Sequence, residues 1–166
     1  MLPGQWITLA FLSAFCLIAN AQQEPRIDEL SVMDRRFMEQ QRDLVQDIAE
    51  RHLGRSLSGE RERDIAVLQK ILDERLVRPD QTRELQAMGV ILGDLLAVEL
   101  DMHWVIYEDK VGRSRALRYR ATDNYLFPVT MISRRREAGS DTPVAEIYRK
   151  AYDIIDRVRP PQPFSD

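Results

Sequence analysis

Leu85-Gln86-Ala87-Met88-Gly89-Val90-Ile91-Leu92-Gly93-Asp94-Leu95-Leu96 repeats its apolar residues at the spacing of a helix, and His103-Trp104-Val105-Ile106-Tyr107-Glu108, a few residues later, does not. Leu85, Met88, Leu92, Leu95 and Leu96 fall on one helical stripe, which Val98 and Leu100 extend. The later run is aromatic and β-branched, which suits a pleated, half-buried strand. A change of period inside one continuous stretch predicts helix followed directly by sheet, and so an α+β fold. Asp109 to Arg113, with Gly112, reads as the turn after this strand, and Ala116 to Tyr119 as the return. There Leu117 and Tyr119 share one face, with Arg118 and Arg120 on the other. Tyr125 to Phe127 makes a third short strand. The expected sheet is small, antiparallel and three-stranded, over about 103–108, 115–120 and 124–127.

Toward the N-terminus, Ile27, Leu30, Met33, Phe37, Leu44, Ile48 and His52 predict one long amphipathic helix from Pro25 to Leu53, which Gly54 ends. Arg55 to Gly59 is a joint before a second helix carrying Ile65, Leu68, Ile71, Leu72 and Leu76. Pro79-Asp80 interrupts again, and Thr82 is the expected cap of the third, most apolar helix. Toward the C-terminus, Pro128 opens a helical turn through Met131, Ile132 and Arg135, closed by Gly139. Thr142-Pro143 is the expected cap and first position of a last helix whose buried face is Val144, Ile147, Tyr148, Ala151, Ile154, Ile155 and Val158. The organisation expected is a leader at 1–21, the amphipathic helix within 22–56, an α+β domain at 57–159 and a loose tail at 160–166.

The leader is read from composition. The 166 residues include 24 basic and 27 acidic side chains, none of them in the first 21 positions. Trp6 to Ile18 is too short to span a hydrocarbon core but suits the middle of a signal peptide. Ala19-Asn20-Ala21 then supplies the small residues of a cleavage site, so the expected mature protein starts at Gln22 and is periplasmic or secreted. Met1 to Gln5 lacks the usual Lys or Arg. Cys16, the only cysteine, follows Phe15 where lipid attachment requires a small residue. Its removal leaves a chain with no disulfide, no thiolate metal site and no stable membrane anchor. The net charge of −3 argues against a nucleic-acid binder, which gains from releasing counterions into a positive field.

Leu85 to Asp94, then Trp104-Val105, Asp109 with Gly112, Phe127-Pro128 and Met131-Ile132-Ser133-Arg134-Arg135, taken in that order, resemble an uncharacterised bacterial family, domain of unknown function 3806. The resemblance runs from about Leu57 to Val158. It implies a bacterial, Gram-negative origin and an α+β domain, and it implies nothing about activity.

Gly89 and Gly93, four apart on the third helix, each cost about 1 kcal/mol against alanine, so close packing by the sheet or the last helix is expected there. Asp94, Glu99, His103, Glu108 and Asp109 form the one carboxylate and imidazole group to weigh for acid-base or metal chemistry. Asp94 and Glu99 are five apart and so lie on different helix faces. No zinc-protease, nucleophile-elbow or phosphate-loop motif occurs, and no metal or cofactor is expected. His52, in the last turn of its helix, suits the helix dipole. Arg113, Arg115, Arg118, Arg120, Arg134, Arg135 and Arg136 place seven arginines within 24 positions. They read either as an anion-attracting surface or as a solvated face paired with neighbouring acids. Tyr107, Tyr119 and Tyr125 could add an aromatic patch on a shared face. Two function classes follow. One is a non-enzymatic periplasmic adaptor, small chaperone or immunity-type inhibitor of a secreted toxin, which binds a protein through Arg118, Arg134, Arg135, Tyr107 and Tyr119. The other is a small hydrolase or metal-assisted enzyme using Asp94, His103 and Glu108.

Overall fold

Residues 24–160 are described by the computed structural model; the segment read as the leader and all but the first residue of the tail lie outside them. The elements run β1 (Arg26–Glu29), α1 (Val32–Leu53), α2 (Arg61–Asp73), α3 (Thr82–Leu100), β2 (Met102–Asp109), β3 (Gly112–Tyr119), β4 (Tyr125–Leu126), a 3-10 turn at Pro128–Thr130, α4 (Ser133–Glu137) and α5 (Val144–Asp156). The α+β class is as expected. The sheet is antiparallel in the order β1-β2-β3-β4, one strand more than expected.

The additional strand is β1, in the stretch read as the start of the first helix. Ile27, Leu30 and Met33 do fit a helical stripe, but Ser31 and Asp34 start the helix later. The Ser31 hydroxyl accepts from the Asp34 N–H at 3.1 Å, and the Asp34 carboxylate accepts from the Ser31 N–H at 3.2 Å. This reciprocal capping box fixes Val32 as the first helical residue. Arg26 to Glu29 then pair with Val105 to Glu108 on the otherwise free edge of β2. At the far end of α1, Gly54 sits at φ 59, a left-handed conformation that closes the helix at small steric cost.

Two other caps move by one residue. Gln81 occupies the N-cap of α3, and Thr82 lies inside the helix with its hydroxyl donating to Glu137 at 2.6 Å. Pro143, not Thr142, is the N-cap of α5, because its carbonyl accepts the first helical hydrogen bonds, from the Glu146 and Ile147 N–H groups at 3.0 and 3.1 Å, while Gln69 Oε1 accepts from the Val144 N–H at 2.8 Å. The β2–β3 turn is shorter than expected. Asp109 Oδ1 accepts from the N–H groups of Val111 and Gly112, at 2.8 and 3.1 Å, so only Lys110 and Val111 lie in the loop. β3 therefore starts at Gly112, ahead of position 115.

The core is built around α3, whose Leu85, Met88, Leu92, Leu96 and Leu100 are wholly buried. α1 and α5 pack on it, and the sheet lies across it. Its two glycines make this possible. A Cβ at Gly93 would lie 2.4 Å from Trp104 Cζ2, so the sheet is the neighbour there, as one alternative had it. A Cβ at Gly89 would lie 2.4 Å from the Val129 carbonyl oxygen, so the neighbour there is the 3-10 turn and not the last helix. Directly paired residues share a sheet face. Met102, Trp104, Ile106, Arg113, Arg115, Leu117, Tyr119 and Leu126 are on the α3 side, while His103, Val105, Tyr107, Ser114, Ala116, Arg118 and Tyr125 are turned away.

Candidate binding site

The hairpin arginines divide between the two faces. Arg113 and Arg115, two residues apart, both project toward α1, where Asp34 is 3% exposed. Its carboxylate accepts from Arg113 Nη2 at 2.7 Å, Arg115 Nη2 at 2.9 Å and the Ser31 hydroxyl at 2.5 Å. The hydrogen bond from Arg113 outweighs burial and holds this carboxyl well below the usual carboxylate range. Arg115 also stacks its guanidinium over the Phe37 ring, 4.0 Å from the centroid. One negative charge is thus shared by two cations, and Glu108 and Asp28 also stand near Arg113.

On the opposite face Tyr107 meets Tyr125 and Phe127 edge-on, with ring centroids 5.0 and 5.3 Å away. Arg118 lies over the Tyr125 ring at 5.7 Å and donates from Nε to the Thr122 carbonyl at 2.7 Å. Burial raises the Tyr125 phenol pKa, against the opposing pull of Arg118. Tyr119 does not join this patch. It is opposite Met102 on the helix side, buried in the core, and its hydroxyl has no hydrogen-bond partner among the described residues.

The two halves meet at the edge of β3. β4 pairs only with Leu117 and Arg118, and the chain then turns away through Pro128. A cleft of about 490 Å³ opens where it leaves, lined by Tyr107, Arg113, Arg115, Phe127, Thr130 and Arg134. Phe127 is 38% exposed, and Arg134 is exposed with no ion-pair partner among the described residues. Of the residues named from sequence for binding, Tyr107 and Arg134 line this cleft and Arg118 flanks the aromatic group. Arg135 does not reach it, because its Nη1 is bonded to the Met131 carbonyl at 2.6 Å. Arg136 pairs with Asp141 at 2.6 Å. Asp34 and Phe127 were not among the sequence candidates. For Asp34 a signal existed in Ser31-x-x-Asp34 ahead of an apolar periodic run, the pattern of a capping box.

The acid-base candidates are dispersed. Asp94 is clamped by Arg42 through Nε at 2.7 Å and Nη2 at 2.9 Å, and by Trp104 Nε1 at 2.9 Å, which ties α1, α3 and β2 together. His103 is exposed on the sheet face turned from the helices, and Glu108 is exposed on the other face opposite Arg113. They are five positions apart along β2, about 17 Å. Glu99 accepts from Arg61 and, at 2.5 Å, from the Tyr148 hydroxyl. These three form one end of a groove of about 940 Å³ between α2 and α5, whose walls include Ile65, Ala66 and Tyr152. Burial and the Glu99 bond push the Tyr148 phenol pKa far up, which keeps it neutral. His52 is exposed in the last turn of α1. Among the described residues no three His, Asp or Glu side chains gather where they could hold a metal ion, and no helix is long and apolar enough to cross a membrane.

The family model of a domain of unknown function, DUF3806, matches residues 64–148, half of the chain. The protein belongs to the DUF3806 family. The match takes in most of α2, then α3, β2 to β4, α4 and the start of α5, so every lining residue of the cleft is DUF3806 sequence, whereas Asp34, which bonds two of its arginines, lies outside it. A crystal structure of a protein from Bacteroides thetaiotaomicron has the same fold, with a TM-score of 0.71 over 80% of this chain at 20% identity. The chain spans about half the length of that protein, 48% of which is covered. No curated protein matches.

Proposed function

We propose that this DUF3806 protein is an exported, non-enzymatic binding or adaptor protein that docks a protein partner in the cleft beside β3. The observation that carries the reading is the cleft itself, where Arg113, Arg115 and Arg134 converge with Tyr107 and Phe127. Aromatic and arginine side chains around a depression are the usual anchors of protein interfaces. The dispersal of Asp94, His103 and Glu108 leaves the enzymatic alternative without an assembled site. Export rests on the leader composition and on Ala19-Asn20-Ala21.

The test is cross-linking followed by capture from periplasmic extract, comparing wild type, Tyr107→Ala/Arg134→Glu, and Arg55→Glu in the α1–α2 joint. The expected result is a partner retained by wild type and Arg55→Glu and lost from the cleft variant. The same proteins recovered with all three would overturn the reading. N-terminal sequencing of the exported protein should begin at Gln22, and a start at Met1 would refute export by cleavage.

A further inference from the structure

We propose that the occupant of the cleft is an extended acidic segment of the partner, added to the sheet as a further strand along the outer edge of β3. This rests on the binding role proposed above and specifies its geometry. β3 has eight residues, and β4 covers only two of them. From Gly112 to Ala116, about 13 Å of strand, no other strand lies on the outer side, where the 3-10 turn is the neighbour.

The direction of the backbone groups follows from the hairpin. Asp109 and Gly112 close a two-residue loop, so they and every second pair beyond them, Tyr107 with Ser114 and Val105 with Ala116, exchange hydrogen bonds across the hairpin. The alternate residues, Arg113, Arg115, Leu117 and Tyr119, then aim N–H and C=O outward. Tyr119 obeys this rule, since its N–H donates to the Asn124 carbonyl at 3.0 Å on the β4 side. Arg113 and Arg115 present the same groups to the cleft, and no described element hydrogen-bonds them there.

An edge of this kind invites strand addition unless it is blunted. The opposite edge of the sheet is blunted. β1 is four residues long, follows Pro25, and carries the Arg26–Asp28 ion pair at 2.8 Å. At β3, Asp34 draws both arginine side chains toward α1, while Val129, Thr130 and Arg134 stand across the gap as an opposing wall.

Charge and face set the sequence of the guest. Its residues on the helix side meet Arg113, Arg115 and Arg134; Asp34 bonds the first two, Glu108 lies across the hairpin from Arg113 and Asp109 is turn-bound, so Arg134 is the lining arginine that has no ion-pair partner among the described residues. Its residues on the other face meet Tyr107 and Phe127. Alternating acidic and apolar residues satisfy both.

The test uses the full mature chain and a capped ten-residue peptide alternating glutamate with valine, titrated by calorimetry, with amide exchange followed by NMR. Binding is expected at or below about 1 mM, with slowed exchange of the Arg113 and Arg115 amides. Methylating the backbone nitrogens of one alternate set, glutamate or valine, is expected to weaken binding at least about tenfold and methylating the other set to leave it nearly unchanged, since one edge of a strand faces β3. A lysine-valine peptide and the exposed-site variant Arg134→Glu should each lose about as much. Absence of binding at 1 mM, or equal effects of the two methylated sets, overturns strand addition. If the partner capture described above still depends on the cleft, the binding role stands while this geometry fails. A concentration-dependent dimer abolished by Arg134→Glu would overturn the proposal in favour of a second copy as occupant.

Discussion

Replacing Asp34 by asparagine preserves the size of the side chain and removes the charge that Arg113 and Arg115 share. The amide oxygen can still accept from one guanidinium, but the amide NH2 then faces the other. Hydrogen bonds to charged groups contribute about 1.5–3 kcal/mol each. Arg113 is 45% exposed, so its bond is discounted for solvent, whereas Arg115 is 25% exposed and Asp34 is 3% exposed. The expected loss is about 3 kcal/mol, at the lower end for stripping one partner from a buried pair. For a domain of this size that lowers the melting temperature by about 10 °C. Thermal and urea unfolding followed by far-UV circular dichroism at pH 7 measures it. The dependence on pH gives a second readout. The folded-state pKa of Asp34 is depressed, so the unfolded chain takes up the proton first as pH falls below the ordinary value of 3.8. Wild type should therefore lose this contribution progressively below that pH, and Asp34→Asn should lack that component of the acid transition. A loss under about 1 kcal/mol at pH 7, with coincident acid curves, would refute the shared-carboxylate account, because that is the worth of an exposed ion pair.

Gly89→Ala should destabilise by about 3 kcal/mol in urea even though alanine favours the helix by about 1 kcal/mol, since the new Cβ would sit 2.4 Å from a backbone carbonyl; a neutral or stabilising result would contradict the close approach. Asp94→Ala leaves Arg42 and the Trp104 indole without their acceptor and should cost about 2 kcal/mol. It should also shift the emission of Trp104, the only tryptophan after Gln22, and an unchanged spectrum would argue against the clamp. Tyr148→Phe should cost about 1 kcal/mol at pH 7. Because the folded phenol titrates above its ordinary 10.0, wild type should lose stability as pH rises past that value, and the variant should lose less; parallel curves would remove Tyr148 as the cause.

The helices and the β2–β3 hairpin were legible because each is set by local periodicity. The stripe of α3, the aromatic and β-branched run of β2 and the alternation of Leu117, Arg118, Tyr119 and Arg120 all lie within short windows. The family resemblance drew on the same windows, since its glycines, Trp104 and Phe127-Pro128 are the packing points around α3. β1 was not legible. Four residues carry too little pattern to separate a strand from the first turn of a helix, and the choice was made by the edge of β2, distant along the chain, where Ile27 pairs with Tyr107.

The site divides in the same way. Composition already placed seven arginines close together, and the alternation of β3 already sent Arg113 and Arg115 to one face and Arg118 to the other. Which arginines are bonded was decided by Asp34, 79 residues away from Arg113. The cleft exists because β4 stops after two residues and the chain departs through a turn that fits only against the bare backbone of Gly89. Periodicity reports which face a side chain takes within its own element. Charge balance and an uncovered strand edge belong to pairs of elements, so they arise only when the packed chain brings those elements together.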